Sequence, residues 1–341
     1  MACTVVSFGE ALWDVLPTGP VLGGAPLNFS YRALSLGHRS VIISRLGRDS
    51  LGQKALEQIE RLGMESEFIQ WDESYPTGTV DVRFVKPGQP DFTIIENVAY
   101  DRIELSSQMI ELVESADCLC FGTLIQRSDV SRKTLRELLD RFIQRAPTSV
   151  GEPRPGSVGT PHRAHATPRP ATPHLVLLDI NLRRNCYTEE TIRESIERAD
   201  VLKLNEDEAP VLAKLYEASS SSLPAVAQSL MEKTRLAYCV ITLGPKGVFA
   251  ASARAELLYL PTYRVNLEDS CGAGDAFTAG FIHCLLSGES LKRACQFGNA
   301  MGALVAGQTG ATQPLSLGEV EALIKSAEME AIEPTLEEFL P

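Results

Sequence analysis

The sequence predicts an α/β protein with a central, mostly parallel sheet flanked by helices, plus a small β-sheet lid. Short apolar runs alternate with longer helical periods along most of the 341 residues, which is how βα units read. The runs TVVSFG, SVIISRLG, LVLLDIN and YCVITLG are apolar nearly throughout, as strands covered on both faces must be. At 77–99 the rhythm breaks into two alternating stretches around a Lys-Pro-Gly-Gln-Pro-Asp turn. That pattern is a hairpin too polar for a core.

In chain order, the apolar runs at 4–9, 40–47, 116–122, 175–181, 200–205 and 238–244 supply the strands. The periodic stretches at 27–37, 49–63, 130–144 and 188–199 supply covering helices. The lid is expected from about 13–22 and 68–100, and its exposed edges suit a homodimer contact. Residues 147–173 hold seven prolines among Gly, Ser, Thr, Arg and His, a composition expected to be a disordered insert. One domain is expected over 1–330, followed by an acidic tail at 331–341. Sheets of this kind bind ligands at the carboxyl ends of their strands. Here those ends are polar or glycine-rich at 9–14, 47–49, 179–183, 205–208 and 242–247, which marks the candidate site.

A net charge of −12 with no basic run argues against nucleic acid, which is gripped by Lys and Arg displacing counterions. The eight cysteines are scattered, with no Cys-x-x-Cys, and read as free thiols in a reducing compartment. The amino terminus carries neither a basic leader nor a membrane-length apolar run. A cytoplasmic protein with small-molecule partners and no membrane association is expected. No Gly-x-Gly-x-x-Gly follows the first strand, so a nicotinamide dehydrogenase is excluded.

The stretch NLEDSCGAGDAFTAGF, 266–281, runs through Gly272, Ala273 and Gly274 into an apolar helix with Asp275 at its threshold. Free amides and the positive end of a helix dipole suit a phosphoryl group. The lysine of common phosphate loops is absent. A carboxylate in that place suits an alcohol acceptor, whose proton it can take as the bond to phosphorus forms. The alternative is that Asp275 caps the helix, and this segment alone leaves both open.

DSCGAGDAFTAG closely resembles the C-terminal signature of the ribokinase-like (PfkB) sugar kinases, with Ser270 where the family has Thr and Cys271 at a variable position. GGAPLNFSYRALSLG, 23–37, resembles the family's other signature, with Gly23, Gly24, Asn28 and Gly37 in register. Further matches are GEALWD, GRDSLG, DINLR, NEDE, TLGPKG and FGNAMGA; only the proline-rich insert and about the last twenty residues fall outside. The resemblance implies a three-layer ribokinase-like fold and transfer of the γ-phosphate of ATP to a small sugar. It implies Asp275 as base and the backbone of Gly272, Ala273 and Gly274 as an anion hole. Asp14, Gly23, Gly24 and Asn28 would hold the sugar. Asn205 and Glu208 would organise Mg2+ and phosphate, Glu208 through water. Thr242, Gly244, Gly247 and Asn299 would line the nucleotide, and Asp269 marks a site for a monovalent cation such as K+, or else a structural hydrogen bond. GEALWDVLP, PTGTVDV, VAYD and DINLR look most like bacterial-type fructokinases, which makes Arg183 a candidate for stabilising phosphate charge. The residues after it, Arg184, Asn185 and Cys186, depart from the proline and aromatic frequent there. A 2-keto-3-deoxygluconate kinase and a non-catalytic sugar-binding relative are the alternatives; the intact Asp275 and glycine turn speak against the latter.

Overall fold

The computed structural model describes every residue except 1, 17–18, 87–88, 146–173, 327 and 331, with the backbone alone at 82–86, 89–92 and 145. The proline-rich stretch expected at 147–173 and the tip of the hairpin therefore lie outside the described residues. In chain order the first half comprises β1 (Thr4–Phe8), β2 (Leu12–Leu16), β3 (Gly19–Gly23), α1 (Ala25–Ser35), β4 (Arg39–Gly47), α2 (Ser50–Arg61) and β5 (Ile69–Asp72). Then come β6 (Gly78–Lys86), β7 (Gln89–Ile94), α3 (Ser107–Ser115), β8 (Cys118–Phe121) and α4 (Asp129–Arg145). The second half continues with β9 (Leu175–Asp179), α5 (Glu189–Arg198), β10 (Val201–Asn205), α6 (Ala209–Leu215), α7 (Leu223–Lys233) and β11 (Tyr238–Thr242). It closes with β12 (Val248–Ser252), β13 (Leu257–Leu260), α8 (Ala273–Leu286), α9 (Leu291–Ala306) and α10 (Leu317–Ser326).

The main sheet has the order β13-β12-β11-β10-β9-β8-β1-β4-β5. From β11 to β5 every pair is parallel, while β12 and β13 add antiparallel at one edge. Successive side chains point to opposite faces. On β1, Val6 and Phe8 join one apolar layer and Val5 the other, and on β9 Leu178 and Leu177 divide in the same way. Helices α3 to α7 cover the first face, and α1, α8 and α9 the second. Asp49, Ser106, Thr188 and Ser290 open α2, α3, α5 and α9 by accepting from the amide three residues on. Because the parallel strands share one direction, the ends of β1, β9, β10 and β11 meet along one edge of the sheet, beside the start of α8.

The lid is a separate four-stranded sheet, β3-β2-β6-β7, with Asp14 on β2 opposite Val21 and Val80. It is narrower than the 68–100 expected. Residues 69–72 form β5 and pair with β4 from Ser44↔Ile69 to Gly47↔Asp72, because Phe68 and Ile69 are apolar and bury in the body. Val98, Ala99 and Tyr100 return to the core fully buried. The described part of the segment expected as an acidic tail, 332–341, packs against the body. Leu336 is buried, Phe339 meets Phe249 edge-on at 5.3 Å, and the Glu333 amide donates to the Tyr259 hydroxyl at 2.9 Å. The apolar residues between the glutamates dock the segment onto β12 and β13. Cys118, Cys120, Cys186, Cys239, Cys284 and Cys295 are buried free thiols. Among the described residues no helix is long and apolar enough to cross a membrane.

Candidate active site

The glycine turn before α8 is shaped by a distant loop. Gly272 is the N-cap, at φ +75, a left-handed conformation that glycine adopts without strain. A Cβ there would lie 2.3 Å from the Cβ of Ala311. The loop carrying Ala311 is held by Arg32 of α1, whose Nη1 and Nη2 donate to the carbonyls of Gln313 (2.7 Å) and Ala311 (2.5 Å). Asp269 completes the clamp by accepting from the amides of Cys271 (2.9 Å) and Gly310 (3.1 Å). Each oxygen of its carboxylate thus accepts one backbone amide. The Ala273 amide closes on the Ser270 carbonyl at 3.2 Å. In a helix's first turn the amides have no intrahelical partner, so Gly272, Gly274 and Asp275 present theirs at this end.

Asp275 is the third residue of α8, and the cap position is taken by Gly272. Its Oδ2 instead accepts from Nδ2 of Asn28 at 2.8 Å, across 247 residues of sequence. Burial pushes the Asp275 carboxyl up to about 6, and the charge of Asp179 adds to this; Asn28, Lys203 and Arg183 pull against it. Asn28 is itself buried, and among the described residues its Oδ1 has no hydrogen-bond partner. An orphaned amide oxygen beside a carboxylate fits a hydroxyl donor.

The wall opposite comes from β2 and the turn before α1. Gly24, at φ +114, lies so close to the Glu10 carbonyl that a Cβ would approach it to 2.4 Å, and a Cβ on Gly23 would meet Asp14 Oδ2 at 2.7 Å. Asp14 is raised to about 6 by burial, with Arg183 opposing. Arg183 is exposed, in the loop after β9, and its charge lowers Glu10, Asp14 and Asp275 alike. The charge of Arg183 is therefore felt by three carboxylates.

Two groups were not singled out by the sequence. Glu10, buried at 7% exposure, is raised to about 7 by burial. Lys203 of β10 is buried and pairs with Asp179 at the end of β9 (Nζ–Oδ1 3.1 Å). GEALWD and DINLR contain Glu10 and Asp179, but nothing in their spacing says that these side chains are buried. The signal for Lys203 was a lysine inside an otherwise apolar strand run.

Asn205 and Glu208 form a reciprocal pair: Glu208 N donates to Asn205 Oδ1 (3.0 Å) and Asn205 N to Glu208 Oε2 (2.8 Å). The Leu182 amide donates to the other oxygen, Oε1, at 2.7 Å. Both carboxylate oxygens of Glu208 thus accept a backbone amide, and among the described residues no cluster of three His, Cys, Asp or Glu could hold a metal. Beside this pair lies the turn between β11 and β12. Thr242 Oγ1 donates to the Leu204 carbonyl at 3.3 Å, while Gly244 and Gly247 carry positive φ. Asn299, expected beside the nucleotide, lies on α9. It is buried, and its Nδ2 donates to the carbonyls of Leu260 (3.3 Å) and Pro261 (3.1 Å), because buried amide donors must be satisfied.

A mostly parallel three-layer body, a separate lid and a glycine turn with an acidic residue at a helix start define a ribokinase-like kinase fold. The chain belongs to the pfkB family of carbohydrate kinases, whose family pattern, described as pfkB family carbohydrate kinase, matches residues 18–154 and 169–317. It is 30% identical over 298 residues to an uncharacterised sugar kinase of Pyrococcus horikoshii, covering 85% of this chain and 82% of that one. A solved structure of that protein in complex with ATP superposes at a TM-score of 0.70 and 25% identity, over 95% of this chain and 98% of that one. A fructokinase of Escherichia coli is 25% identical over 333 residues, covering 92% and 97% of the two chains.

Proposed function

We propose that this carbohydrate kinase transfers the γ-phosphoryl group of ATP to D-fructose, giving fructose 6-phosphate, with Asp275 as general base. The observation that carries the reading is the Asp275–Asn28 pair beside an unpartnered Asn28 Oδ1. Near neutral pH a carboxyl titrating at about 6 is mostly ionised and close in affinity to the proton it must take. As the sugar oxygen attacks the γ-phosphorus, its proton passes to Asp275. The bond from that phosphorus to the bridging oxygen breaks, and ADP leaves with the electron pair.

Gly272, Gly274 and Asp275 offer amides to the moving phosphoryl group, with Ala273 shaping the turn, and Arg183 supplies positive charge. Asp14 and Asn28 hold sugar hydroxyls, with Gly23 and Gly24 allowing close approach of the ring. Thr242, Gly244 and Gly247 line the nucleotide with Asn299 beside them, and ATP as that nucleotide is supported by the ATP complex of the Pyrococcus relative. Mg2+ bound to the nucleotide would neutralise phosphate charge, within reach of Asn205 and Glu208 only through water. A K+ ion would be held by Asp269 together with backbone carbonyls.

Fructose as acceptor rests on the fructokinase relatives at 25% identity and on charge. Three carboxylates, Glu10, Asp14 and Asp275, in the field of Arg183 suit a neutral polyol better than the carboxylate of 2-keto-3-deoxygluconate. The test is ATP-dependent turnover of fructose, ribose, adenosine and 2-keto-3-deoxygluconate, compared by kcat/KM. Fructose should lead; a preference for the keto-deoxy acid would remove the fructose assignment. In parallel, Asp275→Asn should stay folded and bind both substrates, with turnover lower by about 10²-fold or more. Near-normal turnover in that variant would remove the base assignment.

A further inference from the structure

We infer that a buried Lys203–Asp179–Thr278 group beneath the first turn of α8 positions Asp275 and tunes its basicity from opposite sides, which makes Lys203 a positioning residue for phosphoryl transfer. The inference rests on the reading of Asp275 as the base. Lys203 and Asp179 are 5% and 6% exposed, and their side chains meet at 3.1 Å. Removing two charges from water costs more than a lone pair of this kind commonly returns, so stability is a poor reason for placing it there. Its position gives a better one. A Cβ built on Gly274 would lie 3.2 Å from Lys203 Nζ, so the ammonium sits directly against the glycine turn. The other Asp179 oxygen, Oδ2, is 2.9 Å from Thr278 Oγ1, which also lies 2.8 Å from the Gly274 carbonyl and has one proton to share between them. β9, β10 and α8 are thereby joined at one point, one helical turn below Asp275.

The charges facing Asp275 come from every side. Asp179 on β9 raises its proton affinity, while Lys203 on β10 and Arg183 after β9 lower it. Glu10 after β1, Arg32 on α1, Cys120 on β8 and Cys271 before α8 also sense its charge, and Asn28 on α1 donates to it. Glu208 acts on Lys203 from the start of α6. Among these groups, Asp179 and Lys203 form a matched pair of opposite sign, so removing either should displace Asp275 in opposite directions.

The experiment is the pH dependence of kcat/KM for the full-length enzyme with fructose, the sugar it is proposed to use, and ATP with Mg2+. The nucleotide's own titration is common to every variant. Asp179→Asn deletes the negative charge and leaves Lys203 facing Asp275, so the acid limb should move down by about one pH unit or more. Lys203→Met should move it up, Lys203→Arg should leave it near the wild-type position, and the double variant Lys203→Met/Asp179→Asn should bring it back toward that position. A pair serving stability alone would lower activity by one factor at all pH values and leave the limbs aligned; that result, or displacement of both single variants in one direction, overturns the inference. Should Lys203→Met not fold, Asp179→Asn and the double variant carry the same test by their difference. Asp275→Asn separates the two readings. Normal turnover in it defeats the base assignment, whereas its inactivity with unmoved limbs in the other variants defeats this inference alone.

Discussion

Glu10 follows the first strand with its carboxyl buried and its pKa pushed up to about 7 from an ordinary 4.5, burial being the main cause and the charges of Arg183 and Asp275 opposing one another. A group that holds its proton more tightly when folded contributes stability that is fully present below its unfolded pKa and is lost as pH rises through the folded one. The window here runs from about 4.5 to about 7. Glu10→Gln cannot ionise, so its Tm should exceed that of the wild type above this window and match it below. Thermal melts of both proteins across that range provide the check, and a lower Tm for the variant on the alkaline side would contradict the burial argument. The same logic explains why acidic residues are kept at such a site despite their effect on stability: in this reading they serve the sugar and the proton.

The first turn of α8 belongs as much to the α9–α10 loop as to its own helix. Gly272 needs positive φ, and Ala311 occupies the space where a side chain would go. Gly272→Ala should therefore lose about 2 kcal/mol or more in denaturant unfolding, from backbone strain and steric conflict together. Adding Ala311→Gly should recover only part of this, since it removes the clash and leaves the strain. Full recovery would mean that φ at 272 is not constrained. The glycine turn was legible because Gly-Ala-Gly followed by a helical period has few other readings. Its partner loop was not, because an Arg32 that caps carbonyls at 311 and 313 looks in sequence like any polar residue on a helix.

At the level of the whole molecule the lid has two open edges, β3 and β7. Val15 and Val21 stand on its strands at 39% and 40% exposure. Strand edges with exposed apolar side chains pair readily with another chain, and a homodimer of the kind expected from the sequence would use this sheet. Sedimentation velocity should give a dimer for the wild type and a monomer for Val15→Lys/Val21→Lys. A monomeric wild type would remove the dimer while leaving the kinase chemistry intact. The opposite end of the sheet is closed by the C-terminal segment: Lys246 bridges Glu206 and Glu333, and its carbonyl accepts from the Tyr259 hydroxyl. The Gly244–Gly247 turn is thus braced from outside.

By itself the sequence determined the βα rhythm, the lid hairpin, the strand ends that gather along one edge of the sheet and the glycine turn with Asp275. All of these are local: apolar periodicity and glycine placement act over a few residues, so they can be read in order along the chain. Only the tertiary structure decided that Asp275 bonds Asn28, that Lys203 and Asp179 are paired beneath it, that Asn299 turns inward and that residues 69–72 belong to the body. Each of these depends on which buried polar group finds a partner from a distant segment, and burial is a property of the packed whole. A lysine in a strand, a glutamate after a glycine and a phenylalanine in an acidic tail acquire their roles only when the surrounding surface excludes water.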